Sequence, residues 1–271
     1  MRRGISVVWV VPIVVVVVLS LLLFHAAGTM CRSKMYVRQK TQFNVMGPGI
    51  ELFRNEVGSY PPSDANDPTG QPYCGAMKLA EALMGQDLQG FHPESVFRRD
   101  GLDPNTLSSL YPVNPPQENL KVREGPYLQV EYARPCRLAD IYGTGKTGAF
   151  PEGTYVLCDV FERKRPGGKK TGMPILYYRA NRLGTAHRTG DPNNIYDSAD
   201  NHALLALGVP GRPGKTHPLI DPNRFHLHTQ DDRHAASARP YSYILISAGR
   251  DGLYGTADDI FNSPTWRYRE K

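Results

Sequence analysis

Cysteine is scarce in this chain, four in 271 residues, and none is spaced as a zinc knuckle or a Cys-x-x-Cys redox pair. A Gly-x-Ser-x-Gly elbow is missing, as is a helical His-Glu-x-x-His pair, and no Ser/His/Asp or Cys/His set stands out from loop composition. The sequence therefore gives no positive sign of catalysis. It also lacks a long basic block beyond its N-terminal region. The 32 Lys and Arg are interleaved with 26 Asp and Glu, so a net charge of +6 comes without a nucleic-acid motif, and no nucleic-acid partner is expected. What the chain has in quantity is glycine (26) and proline (23), which favour short strands and many turns over a helical bundle. The expectation is an α+β domain with long loops.

Residues 5–24 read ISVVWVVPIVVVVVLSLLLF, 20 residues without a charge. That is the length a helix needs to cross a bilayer core of about 30 Å. A signal peptide is the competing reading, but its apolar region is usually shorter and the exit FHAAGTMC offers only a mediocre small-residue cleavage site. A retained single-pass anchor over residues 1–28 is expected. Arg2 and Arg3 before the span face Arg32, Lys34, Arg38 and Lys40 after it, so charge bias alone favours the C-terminal side as cytoplasmic.

Beyond the span, Met35, Phe43, Met46, Ile50, Phe53 and Val57 recur mostly three and four residues apart, predicting an amphipathic helix over residues 29–58. Gly47-Pro48-Gly49 should bend or break it, and Gly58 with Pro61-Pro62 should end it. Residues 59–271 form the head domain. Within it, residues 76–84 read as a short amphipathic helix and 94–97 as another; Asp197-Ser198 caps a helix over about 199–207. Residues 127–132, 155–161, 175–178 and 241–246 read as strands. The basic cluster Arg163-Lys164-Arg165 with Lys169-Lys170 falls around Pro166-Gly167-Gly168 and reads as a solvated hairpin.

Three motifs carry candidate chemistry. Residues 142–148, YGTGKTG, suggest a phosphate loop, yet Asp140 stands where the first glycine belongs and Pro151 stops a helix from following, so the reading is a glycine-rich turn. His226, His228, Asp231, Asp232 and His234 offer metal-ligand spacing, since two histidines one residue apart can share a metal on a strand. The most informative stretch is SAGRDGLYGTADDI, residues 247–260. Asp251, Asp258 and Asp259 lie within nine residues with glycines between them, and with backbone carbonyls near Ser247 and Leu253 they can fold oxygens around one calcium. It is not an EF-hand, and an Asp-Gly turn with a solvated acidic end is the alternative.

Three stretches together resemble the G-type major pseudopilin of bacterial type II secretion. The anchor passing into a helix that ends Glu51-Leu-Phe-Arg-Asn-Glu-Val-Gly-Ser-Tyr-Pro-Pro62 is similar to that family's spine helix and its Gly-x-Tyr-Pro turn. Gly172-Met-Pro-Ile-Leu-Tyr-Tyr178 is similar to its Gly-x-Pro-aromatic strand, and residues 247–260 to its calcium-binding Ser-x-Gly-x-Asp-Gly loop closed by Asp-Asp-Ile. The chain departs from the family at its processing site: Ile5-Ser-Val-Val-Trp9 follows Gly4, with no glutamate in fifth place. It departs also in two insertions, residues 86–125 and 180–240. The resemblance implies a pilin-like α+β fold, a long N-terminal transmembrane and amphipathic helix packed on a small antiparallel sheet with long loop insertions. It implies a non-enzymatic component of a type II secretion or related envelope assembly, with calcium as its ion. The expected setting is the bacterial inner membrane, single-pass, with the C-terminal domain extracytoplasmic. Expected partners are the membrane and other pseudopilin or secretion-system subunits, with no small-molecule substrate. In that compartment one disulfide among Cys74, Cys136 and Cys158 is expected. The alternative function is a membrane-anchored envelope metal-binding protein or hydrolase using residues 226–234.

Overall fold

The computed structural model describes residues 33–229 and 242–263. The expected anchor, residues 5–24, lies outside them, as do Cys31, Asp231, Asp232 and His234. Among the described residues no helix is long and apolar enough to cross a membrane. Contacts divide the chain into two compact units, residues 1–38 and 39–271. The first contributes residues 33–38 to the description, all helical.

The architecture is α+β, with helices and small antiparallel sheets sharing one core. Helix α1 is described over residues 33–57. From Gln39 onward it belongs to the second unit and buries Phe43, Met46, Ile50 and Phe53 of the predicted stripe, while Val57, also placed in it, is exposed. The predicted break at Gly47-Pro48-Gly49 does not occur, and helix runs unbroken through it. Pro48 and Asn44 are both on the exposed face, so the carbonyl that Pro48 cannot serve is open to water. Gly49 is turned inward, where its missing side chain lets Leu128 and the Tyr127 carbonyl come close. Polar side chains of the same helix dock it: Gln39 Oε1 accepts from Val160 N–H at 3.0 Å, and Gln42 Nε2 donates to Tyr132 O and Cys158 O at 2.8 and 2.9 Å. Lys40 Nζ donates to Phe261 O at 2.7 Å.

Helix α2, Gly75–Met84, confirms the predicted helix and the stop at Gly85, but it is not amphipathic in place: all ten residues are buried. Its two charges are satisfied internally. Lys78 Nζ donates to Asp64 O and Asn66 O, both at 2.8 Å. Glu81 accepts from the hydroxyls of Tyr73, Ser95 and Tyr111 and from Gln86 Nε2, at 2.5–3.1 Å. Tyr111, Ser95 and Gln86 come from the first insertion, which the buried carboxylate thereby ties to the core. In that insertion residues 94–97 are not helical; its helix is α3, Gln117–Lys121.

The predicted strand at 127–132 is also absent. Tyr127 N–H bonds Leu83 O, and the chain then turns into α4, Val130–Ala133. Strand β1, Pro135–Arg137, leads into α5, Leu138–Tyr142, and pairs antiparallel with β2, Tyr155–Leu157. The YGTGKTG segment is the connection between α5 and β2, so its helix precedes the glycines and no phosphate loop is formed. The basic cluster forms the expected hairpin, β3 Arg163–Lys164 with β4 Lys170–Thr171, but it is not solvated throughout: Arg165 is buried and its Nε donates to Thr171 O. The main sheet has β6, Tyr243–Ser247, in the centre, flanked antiparallel by β5, Leu176–Arg179, and β7, Ile260–Phe261. All five residues of β6 are buried. A short 3-10 turn, Ser198–Asn201, capped by the Asp197 side chain on Ala199 N–H, continues into α6, His202–Leu205. Helix α7, Pro222–His228, puts His226 and His228 on a helix instead of a strand; the Asp221 cap on Asn223 N–H and a proline in its first turn start it.

Candidate metal centre

The acidic loop leaves the end of β6 and returns into β7, a neighbouring strand, so its two ends are pinned by the Ser247–Ile260 pairing. The turn closes at Gly249, whose φ of 63° places its backbone where a Cβ would overlap Asp258 O. Across that closure Asp251 N–H donates to Asp258 Oδ2 at 3.0 Å. Asp251 itself accepts from Leu253 N–H at 2.8 Å on one oxygen and from the Thr256 hydroxyl at 2.9 Å on the other. Asp251 and Asp258 thus sit on one turn, as the sequence predicts, and each already holds backbone or side-chain donors.

Asp259 faces a different way. Its Oδ2 accepts from Gly255 N–H at 2.7 Å and lies 3.1 Å from His228 Nε2, and neither of the paired side chains is more than 1% exposed. Its Oδ1 is buried with no hydrogen-bond partner among the described residues. Burial pushes the Asp259 carboxyl up to about 6, against the pull of His228 and the Gly255 N–H. Ser247 is turned inward as well: its hydroxyl donates to Asp159 Oδ2 at 2.8 Å and accepts from Gly249 N–H at 3.1 Å. Leu253 O accepts from the Thr256 hydroxyl at 3.2 Å. Among the described residues no group of three or more His, Cys, Asp or Glu is gathered closely enough to hold a metal ion. Asp251 and Asp258 keep unused lone pairs of the kind a hard cation takes, since each ionised oxygen accepts about two bonds, whereas Asp259 is turned to His228.

Asp159 is the residue that sequence reading missed. It follows β2 and is fully buried, accepting from Phe161 N–H and Met173 N–H on one oxygen and Ser247 on the other. It ties the base of the acidic loop to the β1–β2 ribbon. Burial pushes its carboxyl up to about 6. The folded state therefore holds this proton more tightly than the unfolded chain does, and the associated stability, present at low pH, is lost as pH rises through about 6. Asp159→Asn keeps the shape and the acceptor oxygen for Phe161 and Met173 N–H, and sets an amide N–H against Ser247 Oγ, without the charge. Relative to wild type it is expected to gain about 2–3 kcal/mol between pH 4 and pH 7. Denaturant titrations of both proteins at the two pH values measure this, and an unchanged difference would mean that Asp159 ionises freely in the fold.

The two described members of the histidine cluster diverge, because α7 puts residues two apart on different faces. His228 meets Asp259, while the His226 ring stands 4.9 Å from that of His187. His187 Nε2 lies 3.0 Å from His226 O and 2.9 Å from Thr229 Oγ1, and burial pulls His187 down to about 4. His187 and His226 border a cleft of about 450 Å3, and His226 borders a second of about 870 Å3 with Arg54, Tyr60, Arg179 and Asp200. No known protein family matches this chain, and neither a curated protein nor a solved structure matches it.

Proposed function

We propose that the chain is a pseudopilin-like, non-enzymatic structural component of a bacterial type II secretion or related envelope assembly. In this reading residues 5–24 anchor it in the inner membrane, the domain after them is extracytoplasmic, and its partners are other pseudopilin or secretion-system subunits. The observation that supports the reading is α1 resting on the small sheet, its Lys40 end beside the strand ends that frame the acidic loop. Lys40 reaches the β7 carbonyl of Phe261, and Gly47 faces the hydroxyl of Tyr243 in β6, so one helix spans the strands that frame residues 248–259. A helix held this way leaves its other face, including Leu52 and Val57, open to neighbouring subunits.

Calcium is the ion this reading assigns to the loop. Asp251 and Asp258 would hold it with Asp259 and backbone carbonyls near Ser247 and Leu253; the ion would supply positive charge against three carboxylates that otherwise repel. Saturating calcium, at about a hundredfold excess over Kd, is expected to stabilise the full chain by about 2.7 kcal/mol. The gain should shrink from pH 7.5 to pH 5, because protons compete for Asp259. Asp251→Asn and Asp258→Asn, which keep the side chains' shape and one acceptor oxygen each, should lose most of it. Thermal melts with and without calcium decide the matter: no shift, or an equal shift in both variants, would remove the loop as a link to the pseudopilin family.

A further inference from the structure

The β1–β2 ribbon brings two thiols together. Cys136 is registered opposite Val156, and Cys158 lies two residues beyond, where its N–H continues the ladder to Arg134 O at 3.1 Å. Alternation along a strand then puts both side chains on one face of the ribbon. The two thiols are close enough to perturb one another, and Cys136 Sγ–H donates to Arg134 O at 3.7 Å. Cys136 is half-buried and Cys158 buried.

We propose that Cys136 and Cys158 are a disulfide-forming pair, with Cys136 the attacking thiol and Cys158 the resolving one, and that a small disulfide such as glutathione disulfide oxidises them. The pairing is a property of the ribbon and does not depend on the secretion reading. The neighbouring Cys158 thiol holds the Cys136 thiol below its ordinary range, against burial and the Asp140 charge, and the positive charges of Arg134 and Lys169 lower it further. Cys136 thiolate attacks one sulfur of glutathione disulfide, a mixed disulfide forms, and glutathione thiolate leaves. That thiolate takes the Cys158 proton; the Cys158 sulfur attacks the Cys136 sulfur and releases the second glutathione. Two protein thiols are oxidised, one glutathione disulfide is reduced to two thiols, and no other reagent is needed.

Cys74 is the natural competitor and is poorly suited. It is buried at the N-terminal end of α2, and burial pushes its thiol up to about 11. The Cys136–Cys158 bond would close residues 136–158 into a ring that includes α5. It would also sit where α1 docks, since Cys158 O is an acceptor for Gln42. Oxidation thus fixes the ledge on which the long helix rests.

The test incubates the purified full chain, under native conditions, with glutathione disulfide, then denatures, alkylates and maps peptides by mass. The expected result is a Cys136–Cys158 linked peptide pair, a loss of two hydrogen masses, and an alkylated Cys74. In Cys158→Ser, glutathione should remain on Cys136; in Cys136→Ser, Cys158 should take up none. Recovery of Cys136 and Cys158 both alkylated from the oxidised wild type, or a linkage of either to Cys74 or Cys31, would overturn the proposal.

Discussion

Gly249→Ala is expected to destabilise the chain by about 2–5 kcal/mol. A left-handed backbone costs an alanine about 1–2 kcal/mol, and forcing a methyl into occupied space adds about 1–3 kcal/mol. The space here is occupied by backbone, the Asp258 carbonyl, which cannot swing aside as a side chain would. Relief requires residues 249 and 258 to separate, which breaks the Asp251 N–H bond to Asp258 and strains the β6–β7 pairing just beyond. Gly252→Ala is the matched control. It shares the left-handed backbone at φ 73°, but the nearest atom to its Cβ would be Met173 Cγ at 3.8 Å, so only the conformational cost of about 1–2 kcal/mol applies. Denaturant unfolding of the two variants measures the gap between them; equal losses would mean that the loop yields at residue 249 without cost.

The second large effect is expected at Phe53. Its ring is 1% exposed and meets Phe91, Phe97 and Tyr127 at centroid distances of 5.0, 6.3 and 5.9 Å, the first and last nearly perpendicular. Phe91 and Phe97 belong to the first insertion, so this cluster is where the long helix grips it. Phe53→Ala removes the shared ring and leaves a cavity, at a cost of about 3–5 kcal/mol. Leu52→Ala, one residue away on a side chain 49% exposed, should change stability by no more than about 0.5 kcal/mol. Equilibrium unfolding of both tests this, and a small loss at Phe53 would show that the insertion collapses into the gap.

The same contrast explains which parts of the molecule were legible in its sequence. The buried part of the α1 stripe announces itself by its spacing, the end of α2 by Gly85, and strands β5 and β6 by runs of Tyr, Ile and Leu between turns, signals that all lie within a few residues. Residues 127–132 carry strand-forming tyrosine and valine, but their fate is set by Leu83 O and Gly49, residues of other elements, so propensity loses to packing. Helix α7 hid behind polar residues, although Asp221 followed by Pro222 is a start signal that could have been used. In the acidic loop the pairing of Asp251 with Asp258 was readable from spacing. The partners of Asp259 and Ser247 were not: His228 is 31 residues away and Asp159 is 88. A carboxylate buried among such distant donors leaves no local pattern.

Helix α2 has no face toward water, and that has a dynamic consequence. Its amide hydrogens can meet solvent only when the surrounding core parts, because no partial fraying exposes a segment enclosed on all sides. Helix α3, with no buried residue, can open and close by itself. Solvent hydrogen would therefore enter the molecule at two rates: at α3 through small local openings, and at α2 only through the rare events in which the head domain comes apart as a whole.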